Sequence, residues 1–294
     1  MDAEPSAAAA SAAAANAAAF LADGEYAADA AAVLATQHDN GGPLWSTPDG
    51  SLVKGGPFST VEASLILREI GYPAASPELL GVAVLLFDAQ RPDGRFKVYP
   101  SGAIYPCQTA GAARALGLLG YAADPRLEPT YAHLLSTQEP DGGWRCNASK
   151  FGKGPETAAS NPGPTLTVLD VFRLAGRLDA RLDAAVEFLL RHWVTKAPLG
   201  PCHYGIGSLF MKIEYPLFRY NLFHYLHTLS FYPAARRDGR FLEALDAFRA
   251  KLVDGQVAPE SVNRKLAGLE FCRPGRPSAP ATARYREILR NLEA

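Results

Sequence analysis

Two carboxylates stand where acid–base chemistry would be useful. Glu156 lies in GKGPETAASNPGP, a Gly- and Pro-rich stretch just ahead of an apolar helical segment, and Glu214 opens the most aromatic part of the chain, KIEYPLFRYNLFHYLHTLSFY. A carboxyl at the mouth of an apolar cavity loses hydration, its pKa rises, and it becomes a general acid or base. The bland alternative for Glu214 is loop capping or an ion pair with Arg219. Beyond Glu214, Pro216 suits a first helical turn, after which Leu217, Tyr220, His224 and Thr228 share one face and Phe223, His227 and Phe231 another. An aromatic-lined helix suits an extended apolar ligand, and ring faces stabilise carbocations. Tyr215, Tyr220 and His224, with Tyr105 and Tyr204 in the loops, are therefore candidate substrate contacts, set against ordinary core packing. His224 and His227 read equally as core histidines with satisfied hydrogen bonds.

Other chemistries lack their signatures. The chain has no P-loop, no GxGxxG, no GxSxG elbow, no CxxC and no HExxH. Lys150 and Lys153, around FGKG, would meet a diphosphate on charge alone.

The elements that must position these residues are helices. Apolar residues recur at three- and four-residue steps near 26–37, 59–70, 77–90, 107–119, 126–138, 165–175, 179–193, 216–231, 239–252 and 281–292. No convincing alternation of strand residues appears. Short connections near 71–76, 120–125 and 176–179 make αα-hairpins, whereas long ones near 91–105, 139–164 and 194–215 collect Gly, Pro and Cys. Hairpins stacked side by side would deliver every long loop to one end, with one helix of each pair inside and one outside.

The turns also repeat. QEPDGGW at 138–144 is matched by QRPDGRF at 90–96, 48 residues earlier, and more loosely by QHDNGGPLW at 37–45. STVEASLILREIGY (59–72) aligns with QTAGAARALGLLGY (108–121). A fixed period of this size marks units that cannot bury their own apolar faces. In this corner Gly supplies the left-handed helix end, the Gln amide caps open backbone groups, and the ring packs on the next unit.

QxPDGxW resembles the QW repeats of squalene–hopene cyclases and the related repeats of protein prenyltransferase β subunits. The resemblance covers about residues 26–252 and implies an all-α fold, an α/α toroid whose central cavity holds isoprenoid chains. Residues 1–25 form an Ala-rich lead, a frayed helix or disordered segment, and 253–294 a C-terminal extension that closes or caps the barrel. The chain supplies about four helix pairs, so the C-terminal segment, a second copy or another protein would complete the ring. Neither the DxDD acid motif of the cyclases nor the DDxxD of class I terpene synthases occurs, which disfavours a cyclase of the known kind.

Protein prenyltransferases hold zinc at the barrel rim through Asp, Cys and His, keeping the acceptor thiol as thiolate. By that resemblance Cys107 (YPCQTA), Cys146 (WRCNAS) and Cys202 (GPCHYGIG) are candidate zinc ligands, three thiolates leaving a fourth position open. His203, beside Cys202, joins Glu156 and Glu214 as a candidate catalytic group. Unlinked thiols buried as small hydrophobes are the alternative, and Cys272 reads as incidental.

Composition sets the remaining bounds. The 294 residues, nearly half hydrophobic and of formal net charge −1, exclude a generic polyanion binder such as a nucleic-acid protein. Basic residues first appear at Lys54 and cluster near the end (Arg264, Lys265, Arg273, Arg276, Arg284, Arg286 and Arg290), which reads as a solvated tail. Four cysteines make no disulfide framework. The acidic, Ala-rich start does not fit a signal peptide, and no run is long enough to span a bilayer, so a cytoplasmic protein is expected, with peripheral membrane contact still open. The expected function is a prenyltransferase-like enzyme acting on an isoprenoid or lipid-like molecule, zinc-assisted. The alternative is a non-catalytic repeat scaffold that binds a protein, peptide or lipid.

Overall fold

The computed structural model describes residues 7–146 and 150–294. Among these residues the chain is all-helical, with isolated bridges and no strand. The α-helices are α1 (Ala7–Asp23), α2 (Ala27–Ala35), α3 (Thr60–Glu69), α4 (Pro77–Asp88), α5 (Pro106–Leu116), α6 (Glu128–Ser136), α7 (Pro162–Leu174), α8 (Leu182–Thr195), α9 (Leu222–Leu229), α10 (Pro233–Arg236), α11 (Gly239–Arg249) and α12 (Ala279–Glu293).

Local chemistry sets where these helices begin. Ser59 accepts the Glu62 amide at 3.2 Å to start α3, and Ser76 accepts that of Leu79 at 3.4 Å ahead of Pro77 in α4; both satisfy amides that a first helical turn leaves open. A second repeat marks the other helix of later pairs. Asp124, Asp179 and Asp238 each accept the amide two residues on at 2.9 Å and pair with the guanidinium of that residue, Arg126, Arg181 or Arg240. As exposed ion pairs these contribute little; as turn-formers they fix where α6, α8 and α11 start.

The Gln–Gly–aromatic corner locks one pair to the next. Gln138 Nε2 donates to the carbonyls of Gly142 at 2.8 Å and Arg181 at 3.1 Å, the latter at the start of α8. Gln90 Nε2 does the same toward Arg126 at 2.7 Å and Thr130 Oγ1 at 2.9 Å. Trp144 is fully buried, its indole N–H donating to the Leu134 carbonyl at 2.8 Å, while its backbone N–H donates to Thr165 Oγ1 on α7 at 3.0 Å. Phe96 repeats the last contact with Thr109 on α5 at 3.2 Å. Gly142 is obligatory, because it has φ +95° and a Cβ there would come within 2.3 Å of the Ala184 carbonyl oxygen.

Helix neighbours follow the hairpin order. α3 packs on α5, α5 on α7 and α7 on α9; α4, α6, α8 and α11 pack respectively on α3, α5, α7 and α9. α12 packs on α9, and its Arg284 reaches back to Glu69 on α3 at 3.1 Å. Asp29 on α2 accepts the Glu270 and Phe271 amides at 3.0 and 2.9 Å, tying the C-terminal region to the first helices.

Three expectations need correction. From Ala7 the Ala-rich lead is a helix, as one of its two readings had it, and it is packed rather than frayed, with Ala13 and Ala17 buried and Phe20 meeting Tyr72 edge-on at 5.6 Å. Its small side chains let α1 lie close on α2 and α4. The aromatic helix begins at Leu222 rather than 216, because Asn221 caps it by accepting the His224 amide at 2.9 Å; Tyr215–Pro216 is a cis bond in an irregular segment. Arg284 is no solvated tail residue, since Glu69 and Glu287 enclose it.

That enclosure is a buried charge network. His227 lies 2.9 Å from Glu287, and Tyr215 donates its hydroxyl to Glu69. Burial alone would raise the Glu287 pKa, but the His227 hydrogen bond and Arg284 outweigh it and bring it to about 2. Burial lowers His227 to about 4. Unfolded, the two groups titrate near 6.5 and 4.3. His227 therefore withholds stability as pH falls from about 6.5 to 4, because the unfolded chain takes up a proton that the native one refuses. Glu287 stabilises above about 4.3, and that contribution is lost as pH falls toward about 2.

Denaturant unfolding across pH 7 to 3 should show stability declining in both windows, and His227→Gln should flatten the upper window and shrink the lower, where Arg284 alone then holds Glu287 down. Gly142→Ala should cost about 3 kcal/mol in urea unfolding, from left-handed strain plus backbone collision. Gly102→Ala, with φ +79° but nothing within 4 Å of a new Cβ, should cost only about 1 kcal/mol.

Candidate functional site

The corner that buries Trp144 also delivers a thiol. Trp144 N–H is held by Thr165, the Trp144 carbonyl accepts the Asn161 amide at 2.9 Å, and Cys146 N–H donates to Asn161 Oδ1 at 2.7 Å. Residues 144–146 are thus sewn to the start of α7. Cys107 is the second residue of α5, and α5 packs on α7, so the two sulfurs meet at 3.1 Å. Cys202 arrives from the long loop after α8, and its sulfur lies 3.5 Å from the Cys146 carbonyl oxygen. The three cysteines gather at one place. Cys272 does not join them; it is buried beside the Leu266 carbonyl.

Two of the other candidates share this region. Glu156 accepts the Gly154 amide at 3.1 Å and stands 3.9 Å from His203 Nε2. The Glu156 carbonyl accepts the Gly200 amide at 3.0 Å, and the Pro201 carbonyl accepts that of Phe151 at 2.9 Å, so the two loops are bound together. His203 has φ +57°, a left-handed conformation uncommon outside Gly, which turns the chain directly after Cys202. Lys150 and Lys153 flank this junction in sequence, and residues 147–149 lie outside the described residues.

Below the thiols a cavity of about 470 Å³ opens among α3, α5, α7 and the segment before α9, lined by Cys107, Tyr204 and Tyr220 among others. A second hollow of about 300 Å³ adjoins it, and Cys107, Gly111, Val53 and Val61 face both. Gly163 is the seat of Tyr204, since a Cβ there would come within 2.6 Å of the ring. Gly111 keeps the space open, as a Cβ there would touch nothing within 4 Å. Tyr204 and Tyr220 meet edge-on at 5.8 Å, and Tyr220 is held from behind by His192 Nδ1 at 2.8 Å.

The other aromatic candidates lie elsewhere. Tyr215 is fully buried against Glu69 and Phe271 and does not line the cavity. Tyr105 precedes α5 and donates its amide to Gln108 Oε1 at 3.4 Å. His224 is buried behind the wall, with Nδ1 3.1 Å from the Arg219 carbonyl and Nε2 3.7 Å from Asp170. Glu214 is half-buried and pairs with Arg219 at 3.6 Å, which favours the ion-pair reading of that residue. Burial raises its pKa and Arg219 opposes the rise.

Sequence reading missed the charges of the wall. Glu62 lines the cavity, and burial raises its pKa against the pull of Arg219 and the Ser59 hydrogen bond. It sits in the first turn of α3, three residues after the Ser59 cap, and the same position puts it on the cavity. Arg114 and Arg219 also line the wall. Arg114 is anchored by Asp170, fully buried on α7, which also binds Arg173 and accepts from Thr228 at 3.1 Å. Burial alone would raise Asp170, but Arg173 and Arg114 hold it well below the usual carboxylate range. The neighbouring Cys146 sulfur first and burial second push the Cys107 thiol up.

A zinc ion needs sulfurs about 2.3 Å from a common centre. Cys107 and Cys146 are near enough to share one, whereas Cys202 addresses the Cys146 carbonyl. Among the described residues no three His, Cys, Asp or Glu side chains converge to hold a metal ion, so the trio fits zinc at two positions and not the third. No helix among the described residues is long and apolar enough to cross a membrane. No protein-family model and no curated protein matches the chain.

A carboxyl whose native pKa is raised opposes folding at any pH where it is ionised. Glu62→Gln should therefore raise the urea midpoint at pH 7 relative to the parent and leave it nearly unchanged at pH 3.5, where the parent residue is already neutral.

Proposed function

We propose that the helical pairs close into an α/α toroid around this cavity and that the protein is a prenyltransferase-like enzyme acting on an isoprenoid or similar long apolar substrate. The observation that carries the reading is the position of Cys107, which faces the cavity while touching a second thiol. Cavity size supports it, since 470 Å³ is within the range of small-molecule sites. Val53, Val61, Leu65 and Phe218 offer walls for a hydrocarbon body, and Arg219, two-thirds exposed at the opening, offers a partner for an anionic end. The circuit from α3 through α5, α7, α9 and α12 back to Glu69 supports the toroid.

In this reading Cys107 acts in its thiolate form at the cavity wall, as a holder of zinc rather than as the group alkylated, and Glu62 exchanges protons within the cavity. Zinc would hold the thiols as thiolates; Cys107 and Cys146 would bind it, and Cys202 would have to turn from the Cys146 carbonyl to join them. Tyr204 and Tyr220 orient the substrate and shield it from water. A binding scaffold is the second reading. It is favoured by the charge that Glu62, Arg114 and Arg219 place in the wall, which suits a polar peptide better than a hydrocarbon.

Native mass spectrometry of freshly purified protein separates the two. The enzyme reading expects a copurified lipid-like mass in the cavity, and its zinc-assisted form expects one zinc per chain by elemental analysis, lost in Cys107→Ser. Gly111→Leu fills the cavity without adding helix strain and should remove the bound lipid. A polypeptide partner with no lipid and no metal would replace this reading with the scaffold.

A further inference from the structure

Cys107 and Cys146 have a relation that neither a buried hydrophobe nor a metal ligand requires. Their sulfurs are in direct contact at 3.1 Å, so about 1 Å of approach would reach the 2.05 Å of a disulfide. Their accessibility differs: Cys107 lines both hollows, while Cys146 is 2% exposed behind it. An incoming reagent therefore meets Cys107 first and finds Cys146 placed to resolve the product. Cys272, buried elsewhere and beside a carbonyl, is an internal control.

We propose that Cys107 and Cys146 are a reversible redox pair, oxidised by exchange with a low-molecular-weight disulfide that enters through the cavity. The Cys107 thiolate attacks one sulfur of the small disulfide, forming a mixed disulfide and expelling one small thiolate. The Cys146 thiolate then attacks the Cys107 sulfur, closing the protein disulfide and expelling the second. Both protein thiols lose their protons to solvent, the protein gives up two electrons, and the small disulfide is reduced to two thiols. Oxidation removes the thiol from the cavity wall; under the thiolate reading given above, and resting on it, the oxidised protein is inactive.

The test uses the full chain, treated with a chelator and then exposed to oxidised glutathione, with remaining thiols alkylated after denaturation. Intact mass before alkylation should fall by about 2 Da, two alkylation sites should be lost, and peptide mapping should join Cys107 to Cys146; dithiothreitol should restore both sites. In the Cys146→Ser, Cys202→Ser double variant, which keeps no other sulfur near Cys107, Cys107 should stop as the glutathione adduct, about 305 Da heavier. Four alkylated thiols after prolonged oxidation, or a linkage to Cys202 or Cys272, would overturn the proposal. Mapping of the unsubstituted protein decides the matter even if the double variant does not fold. Zinc content is read separately on the untreated protein, so loss of the metal reading leaves this one standing, and the reverse.

Discussion

The structure depends on a hydrogen bond that leaves each corner. Where an α-helix ends at a Gly turn, the chain can leave in many directions; here the Gln side chain and the aromatic N–H choose one. Gln138 reaches the Arg181 carbonyl at the start of the next outer helix, and Trp144 N–H reaches Thr165 on the next inner one. One corner thus grips both members of the following pair, and Gln90 with Phe96 repeats the grip one unit earlier. Burial of the ring makes the arrangement cooperative, since a bulky apolar group without its neighbour would be left in water. The cysteine two residues beyond Trp144 is carried to its place by the same contacts.

Buried charge provides the second level of order. Asp170 is fully enclosed on α7 and survives ionised because Arg114, Arg173 and Thr228 surround it. Removing Asp170 would leave two arginine charges in the interior without their carboxylate, which costs far more than an exposed pair contributes. The Glu69–Arg284–Glu287–His227 network joins three helices far apart in sequence in the same way. These networks meet adjoining faces of α9, since Thr228 and His224 face Asp170 while His227 faces Glu287. That short helix therefore has little freedom to move, and the Tyr220 and Arg219 segment ahead of it inherits the constraint.

The cavity combines features that seldom meet by packing alone. One thiol of a contacting pair, the half-buried Glu62 and two arginines border a space that Gly111 leaves open. Glu62 and Glu214 both have raised pKa values and both lean on Arg219. Groups held away from their preferred ionisation cluster at functional sites more often than elsewhere. Under the proposed function, this mixed polarity suits a ligand with distinct apolar and charged ends rather than a plain hydrocarbon.

The helices, their hairpin connections and the repeated corner were legible in the sequence, because apolar periodicity, Gly turns and the Gln-to-Trp spacing act over a few residues. So was the gathering of Cys107, Cys146 and Cys202, since a repeat brings equivalent loops to equivalent places. What only tertiary structure decided depends on contacts between distant segments. Tyr215 and Tyr220 stand five residues apart, yet one is buried on Glu69 and the other lines the cavity, because Asn221 starts α9 later than the apolar pattern suggests. Arg284 read as part of a solvated tail until α3 was set beside it, and nothing local marked Glu62 as a residue of a cavity wall. Periodicity can say which face of a helix is apolar; it cannot say which distant charge that helix will meet, because the meeting is fixed by packing of the whole chain.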